Sequence, residues 1–365
     1  MKKKKNAKAK AKKKPAGKTR VAARLVSAAL ALALIACCAV GDWYVHHPRE
    51  WLEEHDAFYT VPLRYFGDRT AFITDAIGWT GHDTVYDSDE PAPSNQVFFA
   101  GAPQRTGTPA PNDIVTLQRG EFAIGWSPSL RHPVWAAYHV VKDARFAPLQ
   151  RQDFQKDRSV ASSPAAVDYK RSGYDRGHMV PNRAIVTRYG PDEQQKTFLM
   201  TNIAPQRPAL NRGPWREMEQ LITDLWTARY GEIWVIAGAV SPATDSERTR
   251  LEKGAIDVPS HYYMLIAAQD NDGVRTLALL LSQSAQVGDF PVHSIVTINE
   301  LEAATGLTFF PDMPKFLARP MKADRPTRLW PVRLRDIVKL ILVRFTKKHL
   351  PSHWENGHPA RSLTT

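Results

Sequence analysis

Hydrophobic positions follow two rhythms along this chain. Continuous apolar runs recur at residues 122–126, 134–141, 233–240, 261–268 and 275–283, with the length and the β-branched and aromatic content of strands. The first two are joined through SPSLRHP, a turn-rich link that predicts neighbouring strands. Several runs do not alternate with polar residues, which predicts central strands covered on both faces. The second rhythm lies in NRGPWREMEQLITDLWTARYG, residues 211–231. There Trp215, Met218, Ile222 and Trp226 recur every three to four residues, the repeat of one helix face, and Gly231 stands where the helix would stop. Together these patterns predict an α+β domain over residues 96–325, with no internal repeat and no glycine-rich phosphate loop.

The flanks break this pattern. Residues 1–20 are polar, cationic and low in complexity, a tail too hydrophilic to fold alone. Residues 25–40 then carry no charge; as a helix they would rise about 24 Å against a hydrocarbon core of about 30 Å. A snorkelling Arg24 and interfacial Trp43 and Tyr44 would close the gap, so residues 21–45 predict a transmembrane signal anchor. Positive charge on its amino side places the tail in the cytoplasm and the remaining chain outside, on the periplasmic side of a bacterial inner membrane. Two other readings stay open. Leu34-Ile35-Ala36-Cys37 resembles a bacterial lipobox that would leave Cys37 lipidated, and the segment could also be a cleaved export or targeting signal.

Residues 46–95, ending in SDEPAPSN, read as an extracytoplasmic connector that packs on the main domain. The basic residues 326–365 include RLRDIVKLILVRFTKKH. It reads either as an amphipathic helix for an anionic surface or as a solvated helix packed on the domain.

Net charge is +12, which invites a nucleic-acid partner, but its distribution matters more. Twelve of the 49 Lys and Arg precede residue 25, leaving 37 basic residues against 37 acidic ones. Phosphate binding by the body must therefore come from local patches. Both cysteines, Cys37 and Cys38, fall in the apolar segment, so the body has no disulfide, thiolate chemistry or cysteine zinc site.

Candidate chemistry concentrates in SGYDRGHMVPN, residues 172–182. His178 is a natural general base near neutral pH. Arg176, beside the backbone-permissive Gly177, can present its fork to phosphate oxygens. Taken alone, the string reads as a polar turn. Downstream, Asn211, Trp215 and Glu219 follow at intervals of four, which places them on one side of a continuous helix with a drift of about 80°. Glu219 would lie beside the apolar stripe, where a carboxylate calls for a positive partner such as a hydrated metal ion. A straight-helix rise of about 12 Å separates Asn211 and Glu219 too far for both to ligate one ion. Glu219 is then expected to hold a metal-bound water, and Mg²⁺ suits a site of one protein oxygen plus waters. Taken alone, Asn211 fits a helix N-cap better than a metal ligand. Local charge agrees with a phosphate face. Lys170, Arg171, Arg176, Arg183 and Arg188 meet only Asp175 between residues 169 and 188, and Arg207, Arg212 and Arg216 follow. Such contacts are sequence-independent and salt-sensitive.

Three stretches in order, YKRSGYDRGHMVPN (169–182), TFLMTNIAPQ (197–206) and NRGPWREME (211–219), resemble the DNA/RNA non-specific endonucleases, the ββα-metal nuclease family. With its flanks the resemblance covers about residues 100–315. It implies a central, mainly antiparallel sheet flanked by helices. His178 would be the general base, Asn211 the direct Mg²⁺ ligand (Mn²⁺ able to substitute), and Glu219 the residue orienting a metal-bound water. Arg176 would lie near the phosphate, Asn202 would hold the metal-site loop, and Asp175 would brace the turn. Arg151 resembles a phosphate-contacting arginine of the family, with Arg183 and Arg212 in the basic face. Met179-Val180-Pro181-Asn182 departs from the Leu-Ala-Pro-Ala type sequence of the endonuclease G branch, which bears on groove shape and substrate preference. The implied function is hydrolysis of DNA or RNA phosphodiesters without sequence specificity, leaving 5′-phosphate ends. Two alternatives are a related phosphodiesterase on another substrate and a catalytically idle, membrane-bound nucleic-acid receptor.

Overall fold

In the computed structural model the described residues are 84–86, 91–286, 289 and 291–332. The expected cytoplasmic tail, the signal anchor with Cys37, most of the connector and the basic helix beyond residue 332 lie outside the described residues. Among the described residues, no helix is long and apolar enough to cross a membrane.

The apolar runs form one sheet. Its early strands are β1 (Val85–Tyr86), β2 (Val115–Gln118), β3 (Phe122–Ser127) and β4 (His132–Val140). A separate two-stranded ribbon follows, β5 (Asp175–His178) with β6 (Ile203–Gln206). The sheet is completed by β7 (Ile233–Val240), β8 (His261–Asp270), β9 (Gly273–Ser282) and β10 (Ile295–Val296). Strand order is β1-β9-β8-β7-β4-β3-β2, with β10 also on β9. Every pairing is antiparallel, as the resemblance implies. Asp270 pairs with Gly273, so β8 and β9 are closed by the two-residue loop Asn271-Asp272, and Gly273 takes φ +122, a conformation that favours glycine.

The expectation of strands covered on both faces holds, since every residue of β3, β4 and β7 is buried. The helices are α1 (Asn182–Tyr189), α2 (Pro191–Thr197), α3 (Pro208–Arg212), α4 (Pro214–Gln220), α5 (Ile298–Thr305) and α6 (Lys315–Ala323). Side chains alternate across a pleated strand. Trp135, Ala137, Ile236, Tyr263 and Leu265 thus share one core with Ile298 and Leu301 of α5 and Leu317 and Met321 of α6. Tyr262 takes the opposite face, where its ring meets Trp215 of α4 at 5.7 Å. A capping box starts α5: Thr297 accepts from the Glu300 N–H and Glu300 accepts from the Thr297 N–H.

The helix expected over residues 211–231 is broken near its start. Asn211 lies inside α3, its N–H bonded to the Arg207 carbonyl at 2.9 Å, so it is not an N-cap. Gly213 turns the chain with φ −103 and ψ −118, and Pro214 begins α4. The cause lies in the Gly-Pro pair. Proline disfavours helical backbone in the residue before it and suits the first turn of a new helix. From Pro214 the helical run continues through the π-helical Leu221–Trp226 and the turn Thr227–Tyr230 to Gly231, whose φ of +89 ends it as expected. Trp215, Met218, Ile222 and Trp226 are all fully buried, which confirms the stripe.

The packed unit extends beyond residues 96–325 on both sides. Val85 and Tyr86 of the expected connector pair with Arg275 and Val274. Leu329, Trp330 and Val332 are buried, with the Trp226 indole donating to the Trp330 carbonyl at 2.9 Å and the Tyr230 hydroxyl to that of Pro331 at 2.8 Å.

Candidate active site

The ribbon β5–β6 carries the site, and each of its side chains is placed by an identifiable neighbour. His178 ends β5, 9% exposed, with its ring 5.3 Å from Phe154 and edge-on to Phe198 at 5.3 Å. Its Nε2 is buried without a hydrogen-bond partner. Burial, then the charges of Arg151 and Arg176, push its pKa down to about 3, so the imidazole is neutral at physiological pH. Arg176 is exposed and lies over the Phe154 ring, its guanidinium carbon 4.6 Å from the centroid.

Behind the histidine, Asn202 holds the turn. Its Oδ1 accepts from the Val180 N–H at 2.9 Å, and its Nδ2 donates to the carbonyls of Val180 and Thr197 at 2.9 and 3.0 Å. Both amide hydrogens are engaged within the chain and the residue is fully buried. Asn202 therefore fixes the chain just after His178 and has no exposed surface with which to touch a substrate, although the resemblance gave it a place among the catalytic residues.

Two hydrogen-bonded bridges tie β5 to the broken helix. Asp175 accepts from Asn211 Nδ2 at 2.9 Å and from Arg212 in a two-pronged contact at 2.8 and 2.7 Å. Burial would raise the Asp175 carboxyl, but the bonds from Arg212 and Asn211 hold it below its ordinary value. The expected brace thus acts on Asn211 and Arg212 more than on the turn. At the other end of β5, the Trp215 indole N–H faces both the His178 carbonyl at 3.2 Å and Glu219 Oε1 at 3.1 Å. Burial pushes Glu219 up to about 8, opposed by the Trp215 bond and by Arg151 and Arg216. The buried hydroxyl of Tyr138, from β4, has no partner and lies close enough to Glu219 to feel its charge.

The expected arginines divide into two groups. Arg183 is engaged with Asp224 at 2.9 Å and Arg212 with Asp175. Arg188 is 6% exposed, donating to the carbonyls of Val141 and Thr223, so it leaves the basic face altogether. Among the described residues, Arg151, Arg176, Arg207 and Arg216 form no ion pair. Sequence reasoning missed Phe154 and Phe198, which wall the histidine, and Tyr138. No chemical signal sets these apart from core aromatics, because their roles depend on what folds against them.

The residues fit a single hydrated cation better than a protein cage. Among the described residues there is no cluster of three or more His, Cys, Asp or Glu able to hold a metal. By tying up Nδ2 of Asn211, Asp175 turns the amide so that its oxygen is the free end, a hard donor of the kind Mg²⁺ takes along with waters.

His178 with its unpartnered Nε2, the buried Glu219 linked to its carbonyl through the Trp215 indole, and arginines without ion pairs thus lie together on an antiparallel α+β fold. Residues 100–316 match the DNA/RNA non-specific endonuclease family, and the chain belongs to it. It is 29% identical over 216 residues to the mitochondrial nuclease EXOG of Mus musculus, covering 54% of this chain and 57% of that one. It is 27% identical to endonuclease G of Bos taurus, covering 59% of this chain and 79% of that protein. Similarity to nuclease C1 of Cunninghamella echinulata is 28%, over 53% of this chain and 82% of that protein. The chain thus spans little more than half the length of the mouse relative. Among solved structures, the complex of EndoG with EndoGI is similar in fold, with a TM-score of 0.50, 21% identity and coverage of 55% of this chain and 88% of that one.

Proposed function

We propose that this chain is a metal-dependent endonuclease that hydrolyses phosphodiester bonds of DNA, RNA or both without sequence specificity. The observation that carries the reading is the unpartnered, buried Nε2 of His178, flanked by the unpaired Arg151 and Arg176. A neutral imidazole nitrogen can take the proton from a water attacking phosphorus. Arg176 and Arg151 would bind the non-bridging phosphate oxygens, whose charge grows in the transition state. Phe154 holds Arg176 in place and, with Phe198, excludes solvent from the base.

Asn211, through Oδ1, would hold the divalent cation, and Glu219 would orient one of its waters. When bound, such a cation supplies charge neutralisation at the phosphate and at the leaving 3′ oxygen. Cleavage would leave 5′-phosphate ends. The basic residues 1–20 and apolar residues 21–45 support a further proposal, that the catalytic domain is tethered to a membrane and faces away from the cytoplasm.

The test is incubation of the full-length chain with supercoiled plasmid and with RNA, in Mg²⁺, in Mn²⁺ and in EDTA, beside His178→Ala. We expect cutting of both polymers with either metal, none in EDTA, and a loss of about 10²- to 10⁴-fold in the variant. Retention of plasmid on the protein with no cutting would replace the enzyme with a receptor. Undiminished cutting in EDTA would remove the metal from the mechanism.

A further inference from the structure

From Lys142 to Arg151 the chain crosses the surface as ten consecutive exposed residues, between the end of β4 and the site. The loop is fastened at both ends. At one, the N–H groups of Arg145 and Phe146 bond the Thr187 carbonyl at 2.8 and 3.0 Å. At the other, Gln194 donates to the Gln150 carbonyl at 3.1 Å, and Gln155 exchanges backbone bonds with Phe198 and Met200.

Within it, Phe146 is 44% exposed and Leu149 is 46% exposed, large apolar side chains facing water three residues apart. The Phe146 ring rests against Gly190 at the end of α1, where even a β-carbon would come within 3.1 Å. It is therefore an aromatic ring supported from below on a restrained loop. Arg145 and Arg151 flank the pair, and among the described residues neither has an ion-pair partner. Arg151 is close enough to His178 to depress its basicity, and Phe154, three residues on, touches the His178 ring. Arg151 lies five positions after Phe146, a reach of at most about 18 Å.

From this arrangement we infer that Phe146, with Leu149, is a platform for an unpaired nucleobase a few nucleotides from the scissile phosphate. It would give the site a preference for single-stranded over double-stranded nucleic acid. Unpaired cations that track a backbone, alternating with apolar faces for bases, are the chemistry that binds single strands. In a duplex the bases already stack on one another, and the ring has nothing to receive. The inference rests on the proposed nuclease reading but is measured by binding, so the two can fail separately.

The experiment uses the full-length His178→Ala chain, so that substrate is not consumed, in EDTA at fixed salt. Fluorescence anisotropy would give Kd for a labelled single-stranded oligothymidine and for a duplex of equal length. Adding Phe146→Ala is expected to lower the single-strand to duplex affinity ratio by about 5- to 160-fold, the range one stacked base contributes. Leu149→Ala should lower it less, and Phe146→Trp should retain it. Unfolding midpoints of the variants guard against misfolding, and the half-covered ring should shift them only slightly. If Phe146→Ala weakens both ligands equally, the loop binds backbone only and the platform is overturned. If neither ligand responds, the exposed ring serves some other partner, and the inference is equally overturned. A wild-type chain that prefers single strands yet cuts nothing would sink the nuclease reading and leave the platform standing.

Discussion

His178 sits between two phenylalanine rings with its Nε2 free, so its chemistry depends on staying neutral. A histidine whose pKa falls to about 3 on folding contributes stability that is fully present above its ordinary value near 6.5. That contribution is lost as pH falls from there toward 3. We expect its ring resonances, followed by NMR, to stay those of a neutral imidazole from pH 7 down to pH 4. A midpoint near 6.5 would show that the ring is solvated. Glu219 has the opposite sign. Its carboxyl is raised to about 8, so folding favours the protonated form. Stability is complete below the ordinary carboxylate range and declines as pH climbs through 8. In EDTA, Glu219→Gln should therefore gain stability over wild type in urea unfolding at pH 9, relative to the same comparison at pH 5. An equal difference at both pH values would mean that the carboxyl ionises freely.

The broken helix shapes the site at the scale of elements. A continuous helix from Asn211 would have engaged Asn211 at the helix end. The turn at Gly213 instead leaves Asn211 on a separate short helix, where Asp175 can reach its amide nitrogen. The Trp215 indole then joins α4 to β5 through a single N–H shared by the His178 carbonyl and Glu219. Trp215→Phe keeps an aromatic ring against Tyr262 but leaves two acceptors without that donor. The expected cost is about 1–3 kcal/mol in chemical denaturation, with a fall in nuclease activity beyond that explained by unfolding. Unchanged activity would mean that this bridge does not position the site. The opposite end of the same helical run is covered by Trp330, fully buried against Trp226 and Tyr230. Trp330→Ala should destabilise the domain by about 3–5 kcal/mol, and a negligible shift would show that the segment 329–332 is peripheral.

At the scale of the whole molecule, Arg151, Arg176 and Arg216, which form no ion pair among the described residues, act on His178 and Glu219 where β5, α4 and the loop before Phe154 converge, while the body of the chain is near neutral. Binding should therefore weaken linearly in log–log salt titrations. Arg151→Ala and Arg176→Ala should each lower the slope by about 0.7–0.9, one phosphate contact apiece. Arg183→Ala should lower it by less, because Asp224 already neutralises that side chain. An equal effect from all three would mean that ion pairing on the free protein does not decide which arginines meet the backbone.

Much of this protein is determined locally and so could be read along the chain. The strands declared themselves because apolar runs of that length have few other solutions, and the buried stripe of α4 followed from helical periodicity. His178, Asn211 and Glu219 stood out as candidates because three short motifs follow one another in order. Gly213-Pro214 was a local signal too, and the break follows from it once proline's effect on its predecessor outweighs the apolar repeat that runs through it. Tertiary structure alone decided the rest. It put Phe154 and Phe198 around His178, aimed Asp175 at Asn211, and sorted the arginines into neutralised and free. Each of those outcomes depends on which side chains from distant segments come within a few ångströms. Pairing, desolvation and pKa act over that distance in space, and the order of residues along the chain does not contain it.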